Sequence, residues 1–117
     1  MLPYKNRFHG HGSLRYVYAN GNSVRTQKIV VKFTRNPNRK DSRFAVVVSK
    51  KVLKSAVGRN RIRRRVYEII RHEIPRFDGN FDVAVMIFHK SIKDIPHDEL
   101  KQNLVDIFKE ADFYCNK

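Results

Sequence analysis

The stretch Arg59-Asn60-Arg61-Ile62-Arg63-Arg64-Arg65-Val66-Tyr67-Glu68-Ile69-Ile70-Arg71 constrains this chain more than any other segment. Wound as an α-helix, it gathers Ile62, Val66, Ile69 and Ile70 on one face about 100° wide. Asn60, Arg64 and Arg71 fall opposite, with Arg61 and Glu68 beside them. Arg59 and Arg63 project along the border, where their stems lie on apolar surface and their guanidinium groups reach outward. Such a helix must seat one side on a core and leave the other to water or to a polyanion. Its six arginines, with no lysine, favour planar bidentate capture of phosphates over plain solubility.

The flanking segments supply the core that this helix needs. Residues 6–12 read as a loop, and Ser13 offers an N-cap for a short helix ending near Gly21, with Leu14, Val17 and Tyr18 on one face. Two β-branched runs, 28–33 and 44–49, stand either side of a polar turn at 35–41, so they are expected to pair antiparallel. The arginine helix then runs from about residue 58 to 73, where Pro75 stops it, and 81–88 reads as a further strand. Leu100, Leu104, Ile107, Phe108 and Ala111 form the stripe of a core-facing helix that starts near Pro96. The order helix, strands, helix, strand, helix predicts an α+β fold, a two-layer α/β sandwich. With 117 residues and 41% of them apolar, the whole chain, 1–117, suits a single domain.

Charge narrows the partner. Against 25 Lys plus Arg stand 11 Asp plus Glu, a formal net charge of +14, which makes nucleic acid the leading partner class. Charge alone does not separate RNA from DNA or from an anionic membrane surface. The apolar runs stop at about six residues, against the roughly 20 that cross a bilayer, and residues 1–12 lack the apolar core of a secretory signal. The chain therefore reads as cytoplasmic, with no membrane association. Cys115 is the one cysteine, so no internal disulfide forms.

No residue set reads as a catalytic or metal site. Of His9, His11, His72, His89 and His97 only the first two are neighbours, and no second ligand pair stands at zinc spacing. Asp78, Asp82, Asp94, Asp98 and Glu99 are scattered over loops and a helix start, where turn and capping roles account for them. A protein-only nuclease needs clustered carboxylates or a histidine acid and base.

Two stretches carry a family resemblance: Phe44-Ala45-Val46-Val47-Val48-Ser49-Lys50-Lys51, and Ala56-Val57-Gly58 leading into Arg59-Asn60-Arg61-Ile62-Arg63-Arg64. A strand ending Ser-Lys-Lys, a short connector and an Arg-Asn-Arg helix start closely resemble the protein subunit of bacterial ribonuclease P. Asn6-Arg7-Phe8, Gly21-Asn22-Ser23-Val24 and Asp82-Val83-Ala84-Val85 match as well, so the resemblance covers nearly the whole chain.

The resemblance implies an accessory subunit of a ribonucleoprotein endoribonuclease. In that family a large RNA, using Mg²⁺, removes the 5′ leader of precursor tRNA, and the protein assists without cutting. The partners implied are ribonuclease P RNA and precursor tRNA, with no obligate protein partner. RNA contact falls to Lys50, Lys51, Arg59, Asn60, Arg61, Arg63, Arg64 and Arg65. A cleft for the single-stranded leader falls to Arg7, Leu14, Tyr18, Lys32 and Phe33, with ordinary packing on the sheet an equal account of Leu14 and Tyr18. The resemblance also implies a left-handed β-α-β crossover at the arginine helix, against the right hand found in about 98% of such units. A non-catalytic RNA-binding or ribosome-associated protein would carry the same charge and the same helix.

Overall fold

The β-branched runs do become strands, but their partners are set by burial rather than by closeness in sequence. The structure, a computed structural model, describes residues 4–8, 12–36 and 40–114. Its elements in chain order are α1 (Gly12–Asn20), β1 (Asn22–Arg25), β2 (Ile29–Arg35), β3 (Arg43–Val48), α2 (Ala56–Glu73), β4 (Phe81–Ile87) and α3 (His97–Glu110), with short 3-10 turns at Tyr4–Asn6, Ile74–Arg76 and Lys90–Lys93. The strands form one sheet in the order β1-β2-β4-β3. β2 runs antiparallel to both neighbours, with Ile29 opposite Ile87 and Arg35 opposite Phe81, while β3 runs parallel to β4.

The expected hairpin between 28–33 and 44–49 therefore does not form: β4 lies between the two runs. Six of the seven residues of β4 are buried, and a strand buried on both faces belongs at the centre of a sheet. β3, with Val47 exposed, tolerates the edge. The 36–42 connection has only to cross two strand spacings, roughly 10 Å. Its ends are pinned to the start of β4. Asn36 N donates to Asn80 O (2.9 Å), and Phe81 N donates to Ser42 Oγ (3.0 Å). Asp82 accepts from Asn36 Nδ2 (2.8 Å) and, as a bidentate pair, from Arg43 Nε (2.8 Å) and Nη2 (2.7 Å). The hairpin partner of β2 is instead β1, closed by a turn in which Thr26 N donates to Ile29 O (2.8 Å).

The pleat then sorts the side chains. Ile29, Val31 and Phe33, Phe44, Val46 and Val48, and Phe81, Val83, Val85 and Ile87 join the α2 residues Ile62, Val66, Ile69 and Ile70 in one core, closed by Leu100, Leu104, Ile107 and Phe108 of α3. Both helix stripes are thus buried as their periodicity predicts. Phe77, Phe108 and Phe113 form an aromatic plug at one end, with centroids 5.3–5.5 Å apart. α1 packs on β2 and β4 from the opposite face, where Val17, Val30 and Ala84 are buried outside that core. Two layers hold the main core, and α1 covers part of the sheet's other side.

α2 starts at Ala56, two residues before its expected start, because Ser55 caps it: Ser55 Oγ accepts from Gly58 N at 3.1 Å. It ends at Glu73, and Pro75 sits in the 3-10 turn that follows. α1 begins at Gly12, which places Ser13 inside the first turn rather than at the cap. His9, His11 and Cys115 lie outside the described residues.

Candidate nucleic-acid interface

Core packing of Ile62, Val66, Ile69 and Ile70 turns the opposite side of α2 to solvent, and its arginines then differ in what they hold. Arg64 is exposed and has no intramolecular partner among the described residues. Arg63 Nη1 donates to Asn60 Oδ1 (2.6 Å), which leaves the Asn60 amide N–H groups outward. Arg59 Nη1 donates to the carbonyls of Leu53 (3.0 Å) and Lys54 (2.7 Å), binding the loop before the helix. Arg61 Nε reaches Lys93 O (3.3 Å), and Arg65 donates from both terminal nitrogens, to Ile92 O (2.7 Å) and to Ile95 O. Arg59 and Arg63 are half-buried at the border of the apolar face, as their helical positions require. Arg65 is half-buried too, and its fork is spent on the protein's own backbone.

The first acid on α2 is Glu68. Its carboxyl is held below the ordinary range chiefly by a hydrogen bond from Arg71, with His72 contributing, so its charge is answered locally. The N-terminal half of the helix therefore carries uncompensated positive charge. Lys50 and Lys51 extend it on the turn after β3, where Val52 N and Leu53 N donate to Ser49 O (3.1 and 3.3 Å). Val57, 79% exposed, stands among Asn60, Arg61 and Arg64, an apolar spot in a basic surface.

The second group of candidates divides across the sheet. Leu14 and Tyr18 of α1 are half-buried, and Lys32 Nζ donates to Tyr18 O at 3.5 Å, so Lys32 meets α1 on the face of the sheet that this helix packs on. Burial pushes the Tyr18 phenol above its ordinary range. Phe33 is not with them. It lies on the other face, 9% exposed, with its ring edge-on to Phe113 at 5.0 Å. One residue along a strand reverses the face, and Lys32 and Phe33 cannot share a groove. Arg7 bridges to Phe44 at the outer edge of β3, on the far side of β4 from Lys32. The face of the sheet between them carries Ala45, Val47 and Met86, with Ala45 and Lys32 each paired to Ala84 and Val47 paired to Met86, residues that the expected cleft did not include. Val46 and Val48 are buried in the main core, so alternation turns Val47 to the opposite face of the sheet, the side that α1 packs on, where it is 36% exposed.

Among the described residues no group of three or more His, Cys, Asp or Glu could hold a metal ion, and no helix is long and apolar enough to cross a membrane. What the surface offers is charge, donors and half-buried apolar side chains beside α1.

The family model "Ribonuclease P" matches residues 2–112. The ribonuclease P protein component of Pseudanabaena sp. (strain PCC 6903) is 32% identical over 111 residues, covering 95% of each chain. That of Fusobacterium nucleatum is 30% identical over 109 residues, 91% of this chain and 96% of its own. The Staphylococcus aureus RNase P protein superposes with a TM-score of 0.81 at 24% identity, over 94% of this chain and 98% of that one. The Thermotoga maritima RNase P protein gives 0.78 at 24% identity, over 89% and 96%, and both likenesses bear on the fold. A model spanning nearly the full sequence, and relatives matched over nearly their whole length, establish that this chain belongs to the ribonuclease P protein family.

Proposed function

We propose that this protein subunit of ribonuclease P docks on a catalytic RNA through Lys50, Lys51 and the N-terminal half of α2, and holds the single-stranded 5′ leader of precursor tRNA in the groove between α1 and the sheet. The observation that carries the reading is the outward face of α2: Asn60, Arg61 and Arg64 are exposed, and no acid precedes Glu68 on the helix. Guanidinium groups so placed pair with backbone phosphates, and the Asn60 N–H groups suit a base edge or a 2′-hydroxyl.

In the groove, Tyr18 offers a ring for a base to stack on and Lys32 a charge for a phosphate, which tolerates many leader sequences. Cleavage belongs to the RNA, whose backbone holds the Mg²⁺ ions. The protein neutralises phosphates that would otherwise repel one another, and so lowers the Mg²⁺ that the RNA requires. The cytoplasm, where precursor tRNA is made and trimmed in bacteria, is the compartment this work demands.

Reconstitution tests the reading. The protein is mixed with a bacterial ribonuclease P RNA at a Mg²⁺ concentration too low for the RNA alone, and 5′ processing of precursor tRNA is followed on a gel. Restored processing is the expected result. A competent RNA that gains nothing from the protein refutes it.

A further inference from the structure

The six arginines of α2 are alike in sequence, and the backbone carbonyls around them make them unlike. Arg65 places one terminal nitrogen on Ile92 O (2.7 Å) and the other on Ile95 O, so a single planar fork grips both ends of the 92–95 turn. Arg61 Nε adds a third carbonyl of that turn, Lys93 O at 3.3 Å. With both terminal nitrogens turned into the protein, Arg65 has little left for the bidentate phosphate contact that its place in an arginine run suggests.

The gripped segment carries charge of its own. It enters through His89, whose Nδ1 accepts from Ser91 N at 3.0 Å and so caps the turn. Ile92 is fully buried and anchors the turn. Lys90 is exposed and Lys93 half-exposed; the one opposing charge, Asp94, lies 3.9 Å from Lys93 Nζ and is itself exposed. A cavity of about 610 Å³ separates this turn from the loop before α2, with Leu53 on one side and His89, Lys90, Lys93 and Ile95 on the other. Arg59 holds that second loop through the carbonyls of Leu53 and Lys54. Two loops bearing lysines are thus drawn against α2 by arginines that point inward.

We propose that Arg65 is a positioning residue: by holding the carbonyls of Ile92 and Ile95 it fixes the 89–95 turn against α2, so that Lys90 and Lys93 present their charge to the RNA backbone beside Arg61. The inference rests on the RNA docking proposed above and assigns different work within it. Arg65 contacts no phosphate, and the lysines of the turn do.

A double-mutant cycle decides it. Affinity for a bacterial ribonuclease P RNA is measured against KCl for the wild type, Arg65→Met, Arg65→Lys, Lys90→Ala/Lys93→Ala, and Arg65→Met added to the lysine pair. Losing two phosphate contacts at about 0.7–0.9 each lowers the log-log salt slope by about 1.5. The lysine pair should show that drop with roughly tenfold weaker binding, and Arg65→Met should share much of both. Arg65→Met should then cost less than about twofold once the lysines are gone, and Arg65→Lys, which still donates to a carbonyl, should recover part of the loss. Arg65→Met costing as much without the lysines as with them overturns the inference, as does a lysine pair that binds like wild type. The second result needs no Arg65 variant to fold. A wild-type chain that binds no such RNA refutes the proposed function and this inference together, whereas wild-type binding with no coupling refutes the inference alone.

Discussion

Asp82 ties the 36–42 crossing to the start of β4, and its removal gives the sharpest test of why β2 and β3 lie apart. Its carboxylate accepts three hydrogen bonds of 2.7–2.8 Å, and the Arg43 and Asp82 side chains are each 8% exposed. Asp82→Ala leaves a buried guanidinium and the Asn36 amide without their acceptor, which costs about 3–5 kcal/mol. The ring of Phe8, 5.0 Å from Arg43 Cζ, answers only about 1 kcal/mol of that charge. Against a total stability on the order of 5–15 kcal/mol the loss is large, and at roughly 4 °C per kcal/mol it lowers Tm by about 12–20 °C. Arg43→Met with Asp82→Leu removes both charges and fills similar volume, so that variant should unfold within about 1 kcal/mol of wild type. Urea titrations followed by circular dichroism measure both, with the m-value unchanged. If Asp82→Ala costs less than about 1 kcal/mol, or the double variant is as unstable as the single one, the account of the buried pair is wrong.

Gly21 is where α1 meets β2. A Cβ there would lie 2.5 Å from Val17 O and 3.0 Å from Phe33 O, both backbone atoms, so Gly21→Ala must lift the end of α1 off the sheet. A loss of about 1–3 kcal/mol is expected, with weaker discrimination of precursor from mature tRNA and retained affinity for the catalytic RNA; unchanged discrimination in a competition assay would count against a leader site under α1. Tyr114 is held above the ordinary tyrosine range by burial first and by its 2.7 Å hydrogen bond to Glu73 second. The fold therefore favours the protonated phenol: its contribution is complete below the unfolded pKa of about 10 and fades as pH rises toward the folded value. Between pH 10 and 11 the urea midpoint of the wild type should fall more steeply than that of Tyr114→Phe, and parallel curves would show that the phenol is not the group concerned.

The outward and inward faces of α2 were legible because a 3.6-residue period is a local property: Ile62, Val66, Ile69 and Ile70 are buried, and Arg59 and Arg63 sit at the border. The stripe of α3 was legible for the same reason. Strand partners were not, since the tight spacing of 28–33 and 44–49 spoke for a hairpin while the case for β4 at the centre lay some forty residues on, in its burial on both faces. β1 gave no alternation, with Val24 its one buried residue. Phe33 was misplaced because 29–33 is apolar on both sides of Lys32, and such a run hides which residues share a face. Arg65 could not be told from its neighbours, since the carbonyls that claim it lie 27 and 30 residues away.

The place of β4 between its two predecessors also governs when the molecule comes into being. A chain made from its N-terminus produces β2, β3 and the arginine helix before the strand that β2 and β3 both pair with. Until residue 87 is in place each presents an unpaired edge, and their contacts with β4 span long stretches of sequence, which slows folding. The sheet therefore cannot close before β4, the last strand in the chain, is made. The core on which α2 lays Ile62, Val66, Ile69 and Ile70 is likewise incomplete until this seven-residue strand adds Phe81, Val83, Val85 and Ile87 to it.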